Sequence, residues 1–276
     1  MNDASPTLLS LGRIVVGVGV LGLGVQNLIA ADVLMELQPL PSWVPGRPLW
    51  ASATGVLLVV AAVGLISGLR VRFSAAALAL ALTLWCVLVN LPQLLAHFGN
   101  GGVWTSTVEI FALAGGVWAL ASLAPAEARL PDVWNARLDR ATALGRTCFA
   151  ATLPVFGVLH FIYHDYVASV IPAWIPAHQF WAYATGIALA AAGLSLLSGV
   201  LARLPALLFG IMLGTWVLIL HVPRVAADSA NRRGWTSLFV TVALCGAAFV
   251  IAASLARSSA KARALSIAAR RVSIGS

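Results

Sequence analysis

Charge is what this chain has least of. Asp, Glu, Lys and Arg make up 9% of its 276 residues, against roughly 25% in an ordinary soluble domain. So few charges cannot cover a globular surface, which excludes a soluble protein. Cysteine is scarce too. Three in the whole chain exclude a disulfide framework. Cys86, Cys148 and Cys245 form no Cys-x-x-Cys, so no paired thiolate is present for dithiol exchange. There is no Walker loop, no dinucleotide-binding glycine pattern and no His-Glu-x-x-His. Lysine occurs once, at Lys261, beside sixteen arginines and abundant alanine, the bias of a GC-rich bacterial genome.

What is there is apolar. Hydrophobic residues make up 61% and the mean hydropathy is +0.95, which rules out disorder and leaves a polytopic membrane protein. Continuous apolar runs lie at 7–31, 49–67, 73–94, 104–124, 146–167, 179–199, 204–223 and 235–256. Each has the ~20 residues a helix needs to cross a bilayer. The runs do not alternate, so helices are expected and not barrel strands. No charged region with a cleavage site precedes the first run, which reads as a retained span. The expected fold class is all-α, with eight transmembrane helices.

With an even number of spans both termini share one side. Thirteen basic residues fall on that side (Arg13, Arg70, Arg72, Arg129, Arg137, Arg140, Arg146, Arg203, Arg257, Lys261, Arg263, Arg270 and Arg271) and four on the other (Arg47, Arg224, Arg232 and Arg233). The positive-inside rule therefore puts both termini in the cytoplasm, in a bacterial inner membrane. In a soluble protein a net charge of +8 and a pI near 10.7 would suggest nucleic acid. Here they reflect basic cytoplasmic loops, and no nucleic-acid partner is expected.

The chain repeats itself. GVQNLIAADVLMELQPLPSWVPGRPLWASATG from Gly24 aligns with GVLHFIYHDYVASVIPAWIPAHQFWAYATG from Gly157. Arg13, Gly24 and Asp32 match Arg146, Gly157 and Asp165 at a spacing of 133. From Pro41, Trp43 and Pro45, matching Pro172, Trp174 and Pro176, the spacing is 131. It holds through Trp50/Trp181, Gly55/Gly186, Arg72/Arg203, Trp85/Trp216, Pro92/Pro223 and Trp104/Trp235. Eight of ten tryptophans fall into such pairs, which chance does not produce. The expected organisation is a first four-span unit at 1–124, a cytoplasmic linker at 125–145, a second unit at 146–256 and a basic tail at 257–276. Four spans per unit make the repeats parallel, related by an axis along the membrane normal. The linker, with alternating charges around Trp134, is expected to form a short interfacial helix. Trp50, Trp104, Trp181 and Trp235 start spans and suit an aromatic belt. Prolines at both ends of Pro41–Pro45 and Pro172–Pro176 exclude a regular helix there and suggest a stiff outer cap on each unit.

Polar exceptions in such a background point to function. Glu109 is the acid inside a run. Histidine concentrates in the second unit, at His160, His164, His178 and His221, with His97 in the first. His160 and His164 are four apart and share a helix face. His160 and His221 fall at one level near the outer end of their spans, with Tyr163, Asp165, Tyr166 and Arg224 just beyond. Their counterparts in the first unit are Asn27 and Asn90. An outer-leaflet pocket is therefore expected, lined by His160 and His221 with Asn27 and Asn90 as its analogues. His164, Asp165, Tyr163 and Arg224 would stand at its mouth and Trp174 in its cap. Four chemistries fit these residues. His160, His164 and His221 are candidate ligands of a transition metal. Facing histidines can hold haem. Imidazole can exchange a hydrogen bond with a quinone or another small molecule. Interfacial histidines can also simply bond to backbone. His178 aligns with Arg47 and suits an interfacial polar role.

The stretch from Gly157 to Gly186 resembles the DoxX-like membrane family. It shows His160-Phe161 closing the first span, then Pro172 to Pro176, then Tyr183 to Gly186, then Arg203 and His221-x-Pro223. The first unit shows a weaker copy in Asn27, Pro41 to Pro45, Ala51 to Gly55, Arg72 and Asn90-x-Pro92. The resemblance covers about 220 residues as a tandem duplication. The acid that many members carry after the glycine of the second span is replaced here by Ala188 and Leu189. Relatives include a subunit of a thiosulfate:quinone oxidoreductase and proteins tied to quinone or thiol stress. The resemblance implies a redox-linked membrane subunit that works with a membrane or periplasmic partner. The alternatives are a small-molecule or lipid transporter and a non-catalytic scaffold. A transporter is disfavoured because the midplane lacks ionisable residues.

Overall fold

A computed structural model describes residues 5–34, 37–124 and 132–274. Helix α1 spans Ser5–Ala30, α2 Arg47–Ser67 and α3 Val71–Trp85, which passes through a π-helix at Cys86–Asn90 into α4, Leu91–Ala96. Helix α5 is Gly101–Leu123. In the second unit α6 is Asp132–Ile162, α7 His164–Val170, α8 His178–Ser198 and α9 Arg203–Trp216. A second π-helix, Val217–His221, leads into α10, Val222–Ala227, and α11 is Arg232–Ile274. Among the described residues there is no strand. Eight helical segments are long and apolar enough to cross a membrane. The 26 residues of α1 reach about 39 Å at 1.5 Å per residue, enough for a hydrocarbon core of ~30 Å.

The duplication is visible in the backbone. The start of α8, the second π-helix, and α10 begin 131 residues after α2, the first π-helix and α4. Gly46 and Ala177 precede α2 and α8 with φ of 71° and 59°, and Gly68 and Gly199 end them with φ of 83° and 77°. Both π-helices close an i→i−5 bond, from Leu91 N–H to Cys86 O and from Val222 N–H to Val217 O. Proline explains the pair. Pro92 and Pro223 have no N–H for an α-register bond and crowd the preceding turn, and a wider turn absorbs the defect. Each π-helix ends on a buried polar residue, Asn90 at 0% exposure and His221 at 9%.

The units interlock. Consecutive spans pack side by side: α1 on α2, α2 on α3 and α3 on α5, then α6 on α8, α8 on α9 and α9 on α11. The first helix of each unit also packs on the last helix of the other, α1 on α11 and α6 on α5. Helices α5 and α11 meet at the centre and are the most buried spans. Gly116 stands against Ala247, its own equivalent 131 residues on, so the pseudo-two-fold axis runs through this contact. The result is two lobes sharing one α5–α11 wall. Small residues permit these approaches, as expected where lipid supplies no hydrophobic drive between helices. A Cβ on Gly24 would come within 2.9 Å of Gly55 O, and one on Gly157 within 2.7 Å of Gly186 O. Large side chains such as Ile29, Val60, Leu88, Ile187 and Leu218 face outward.

The linker differs from expectation. Asp132–Gly145 is not a separate interfacial helix but the first part of α6. Charged residues around Trp134 form a helix readily in water, and nothing in 132–146 breaks it before the span. The first part of the linker, 125–131, lies outside the described residues. The basic tail continues α11 as helix to Ile274. At the end away from the caps, Arg13 donates to Leu65 O at the last turn of α2, and Arg257 donates to Leu123 O at 2.8 Å, closing α5. A cation at a helix C-terminus meets the negative end of its dipole.

Candidate functional site

The two lobes differ at their cap ends. In the first unit the segment after α1 folds inward. Val33, Leu34, Leu37, Gln38 and Leu40 are all buried. Arg47 ties this cap down through Asp32 Oδ1 at 2.9 Å and Leu40 O at 3.2 Å. Arg232, from the second unit, donates to Asp32 O at 2.5 Å. Beneath the cap Asn27 Nδ2 donates to Gln38 Oε1 at 3.1 Å and Thr54 Oγ1 at 3.0 Å. Asn90 Nδ2 donates to Leu37 O at 3.1 Å. Asn27 and Asn90 are therefore structural amides that seal the lobe.

The second cap is open. Of residues 163–177 only Ala168 is buried. Val44 N–H bonds to Pro41 O and Ile175 N–H to Pro172 O, so the Pro-x-Trp-x-Pro turn is the same in both units. Its tryptophan points out in each: Trp43 is 80% exposed and Trp174 72%. Trp174 therefore does not roof the histidines as expected, because the turn that carries it stands clear of the lobe.

His160 and His221 both enter the second lobe. His160 Nδ1 lies 2.8 Å from Phe156 O. A carbonyl can only accept, so in the neutral ring Nδ1 carries the hydrogen and Nε2 keeps its lone pair. The His160 ring stacks on Trp216 with centroids 6.3 Å apart and planes 23° apart. Thr241 on α11 gives its hydroxyl hydrogen to Ser237 O at 2.7 Å, so its oxygen accepts from His221 Nε2 at 3.1 Å. His160 thus keeps an acceptor nitrogen beside a flat indole.

The other expected residues stand apart from this pair. His164 Nδ1 donates to Gln179 Oε1 at 3.1 Å and meets Asp165 Oδ1 at 3.1 Å, while its ring stacks on Tyr183 at 5.2 Å. Gln179 Nε2 donates to Asp165 at 2.8 Å. This is a rim cluster on α7 and α8. Tyr163 turns toward α5, donates to Gly99 O at 3.2 Å, and lines an apolar groove of about 450 Å³ with Phe98, Trp104 and Leu159. Arg224 is exposed at the rim. Among the described residues no three His, Cys, Asp or Glu side chains come together as a metal ion would need. His160, His164 and His221 therefore do not converge as a ligand set. Their bonds to Phe156, Gln179 and Thr241 hold them on three different elements. His178 Nε2 bonds to Pro172 O at 3.2 Å, much as Arg47 holds Leu40 O, in keeping with an interfacial role. Glu109 lies seven residues before Gly116 and so shares its α11-facing stripe, half-buried.

Several site residues were not among the sequence candidates. Trp85 and Trp216 had a signal, being a repeat pair beside the Asn27 and His160 level. Gln38 had one too, as the polar position between Leu37 and Leu40. Thr54 and Thr241 had none, since a threonine in a span most often bonds its own helix.

Fold and site together define an all-α, multi-pass membrane protein in which the first cap is buried and the second is exposed. Comparison of the chain with family models, with curated proteins and with solved structures finds no match in any of the three.

Proposed function

We propose that the chain is a DoxX-like, tandem-duplicated membrane subunit whose second unit binds a quinone-class molecule near the outer leaflet. The observation that carries this reading is the asymmetry of the lobes. The first is closed by its cap and by Asn27 and Asn90. The second is left open, with the acceptor Nε2 of His160 beside the face of Trp216. A quinol hydroxyl can donate to that nitrogen while its ring lies against the indole. His221 and Thr241 offer a second polar point, and His164, Asp165 and Arg224 would stand at the mouth. Both termini face the cytoplasm of a bacterial inner membrane, and the chain works beside a membrane or periplasmic redox partner.

The test is purification in mild detergent followed by quinone extraction, metal analysis and a visible spectrum. A stoichiometric quinone that disappears in the double variant His160→Ala, His221→Ala supports the reading. A Soret band or a stoichiometric metal sinks it. A second reading, a scaffold for a partner complex, draws on Trp43 and Trp174, which project from both caps. It predicts an empty lobe and a stable co-purifying protein.

A further inference from the structure

Five buried side-chain polar atoms among the described residues lack a hydrogen-bond partner: Gln26 Nε2, Asn27 Oδ1, Trp85 Nε1, Asn90 Oδ1 and Arg232 Nε. Four belong to the first unit, and Arg232 reaches its cap from the second. Among the described residues no other atom of the second unit is in this state. Buried polar groups are satisfied in native proteins, by protein or by ordered water, so these five call for partners.

Three of the five lie under the first cap. Asn27 bonds to the Gln38 side chain and Asn90 to the Leu37 carbonyl, so both amides hold neighbouring residues of the cap. Both are 0% exposed. Trp85 packs with the cap residues Val33 and Leu40 and with Ala51 of α2. The second unit gives the relation between the indole and the first-helix polar residue. There Trp216, the equivalent of Trp85, stacks on His160, the equivalent of Asn27. The amide orientations are fixed as well. Each Nδ2 faces an oxygen, so each Oδ1 is the atom left over. The remaining two, Gln26 Nε2 and Arg232 Nε, are both donors and lie at the seam where Arg232 holds Asp32 O.

Two acceptors and one donor are the complement of a water molecule, which donates twice and accepts. Buried waters make about three hydrogen bonds to groups that are otherwise unsatisfied. We propose that the sealed first lobe is a built water site, in which an ordered water under Leu37–Gln38 donates to Asn27 Oδ1 and Asn90 Oδ1 and accepts from Trp85 Nε1–H. The water joins α1, α3 and the π-helix beneath the cap. It gives the amides of this unit a task distinct from that of the histidines that replace them in the other. The site does not depend on a ligand in the second lobe.

Trp85→Phe tests it, with Trp216→Phe as the control for the smaller ring. If the indole N–H bonds to water, Trp85→Phe lowers the thermal midpoint of the full chain in lipid by about 2–4 °C more than the control, the equivalent of one such bond. If the N–H is unsatisfied, its removal relieves a cost, and a midpoint equal to or above that of the control overturns the proposal. An experimental structure of the full chain at a resolution that shows waters gives the second measurement. Density within hydrogen-bonding distance of all three atoms supports the site. Amides turned to pair with protein, or no density between them, overturn it.

Discussion

His160 lies face to face with Trp216, centroids 6.3 Å apart and planes 23° apart, and its outward nitrogen has no bond within its own helix to satisfy it. If this nitrogen accepts from a quinol hydroxyl, His160→Ala removes one hydrogen bond and part of the stacking surface. A hydrogen bond of about 0.5–1.5 kcal/mol corresponds to roughly a 2–10-fold loss of affinity. Quinol binding, read by quenching of tryptophan fluorescence, should weaken by that factor. His164→Ala, at the rim with its own partners Gln179 and Asp165, should change it by less than about 2-fold. Equal effects of the two would place the ligand at the rim.

Arg232 reaches across the unit boundary to Asp32 O and Val33 O. The first cap is therefore held from both units, by Arg47 in its own and by Arg232 in the other. Removing a charged donor from two part-buried carbonyls costs about 1.5–3 kcal/mol at most. Arg232→Ala should destabilise the chain by that amount and open the cap. The check is thiol labelling of Leu37→Cys, which should become reactive only when Arg232 is replaced. No labelling in either background would show that the cap is held by packing alone.

The spans, their number and the duplication were legible in the sequence because each rests on one strong physical signal, apolar length or matched tryptophans and prolines. The unequal caps were not legible. Both read as Pro-x-Trp-x-Pro turns after a matched aspartate, and the turns are indeed alike. What differs is the approach to them, where Leu34, Leu37 and Leu40 give the first cap enough apolar surface to fold inward and Arg232 comes from 200 residues away to hold it. Interlocking of the units was also hidden, because a pattern of small residues does not say which helix each one faces. Glu109 stood out by charge alone, and its α11-facing stripe became visible only through the Gly116–Ala247 contact.

Gly24 with Gly55 and Gly157 with Gly186 are the same contact in two copies. A side chain at Gly157 would meet main chain at 2.7 Å and one at Gly24 at 2.9 Å, and main chain cannot turn aside as a rotamer can. Gly157→Val and Gly24→Val should each cost about 1–3 kcal/mol through forced helix separation. Thermal melts of the purified variants check this. Because the contact is duplicated, the two costs should agree within a factor of about two. A tolerated Gly24→Val would show that α1 and α2 are free to move apart.

If the arginine distribution sets the direction of the chain in the membrane, both termini lie in the cytoplasm. A fluorescent protein fused after Ser276 should be bright, and alkaline phosphatase fused there should be inactive. Phosphatase inserted in the 99–100 turn should be active. Reversed signals would put the open lobe at the cytoplasmic face and remove any periplasmic partner from consideration.

Pro92 sits two residues past Asn90, and Pro223 two past His221, each just beyond a π-turn. Pro92→Ala restores an N–H to the helix and removes the ring that crowds the preceding turn, so an α-register becomes available. Rewinding by one residue turns the side chain at 90 by about 100°, away from Leu37 O. The Asn90–Leu37 bond is then lost while the helix itself gains one. Overall stability should change little, but the cap should open more often. Hydrogen exchange of the amides of Leu37, Gln38 and Leu40 should quicken by about 2–10-fold, the equivalent of one hydrogen bond. Pro223→Ala should leave those amides unchanged and loosen His221 from Thr241 instead, lowering quinol affinity without affecting the first cap. If Pro92→Ala leaves exchange at the cap untouched, the π-turn is set by packing of Asn90 under the cap and not by the proline that follows it.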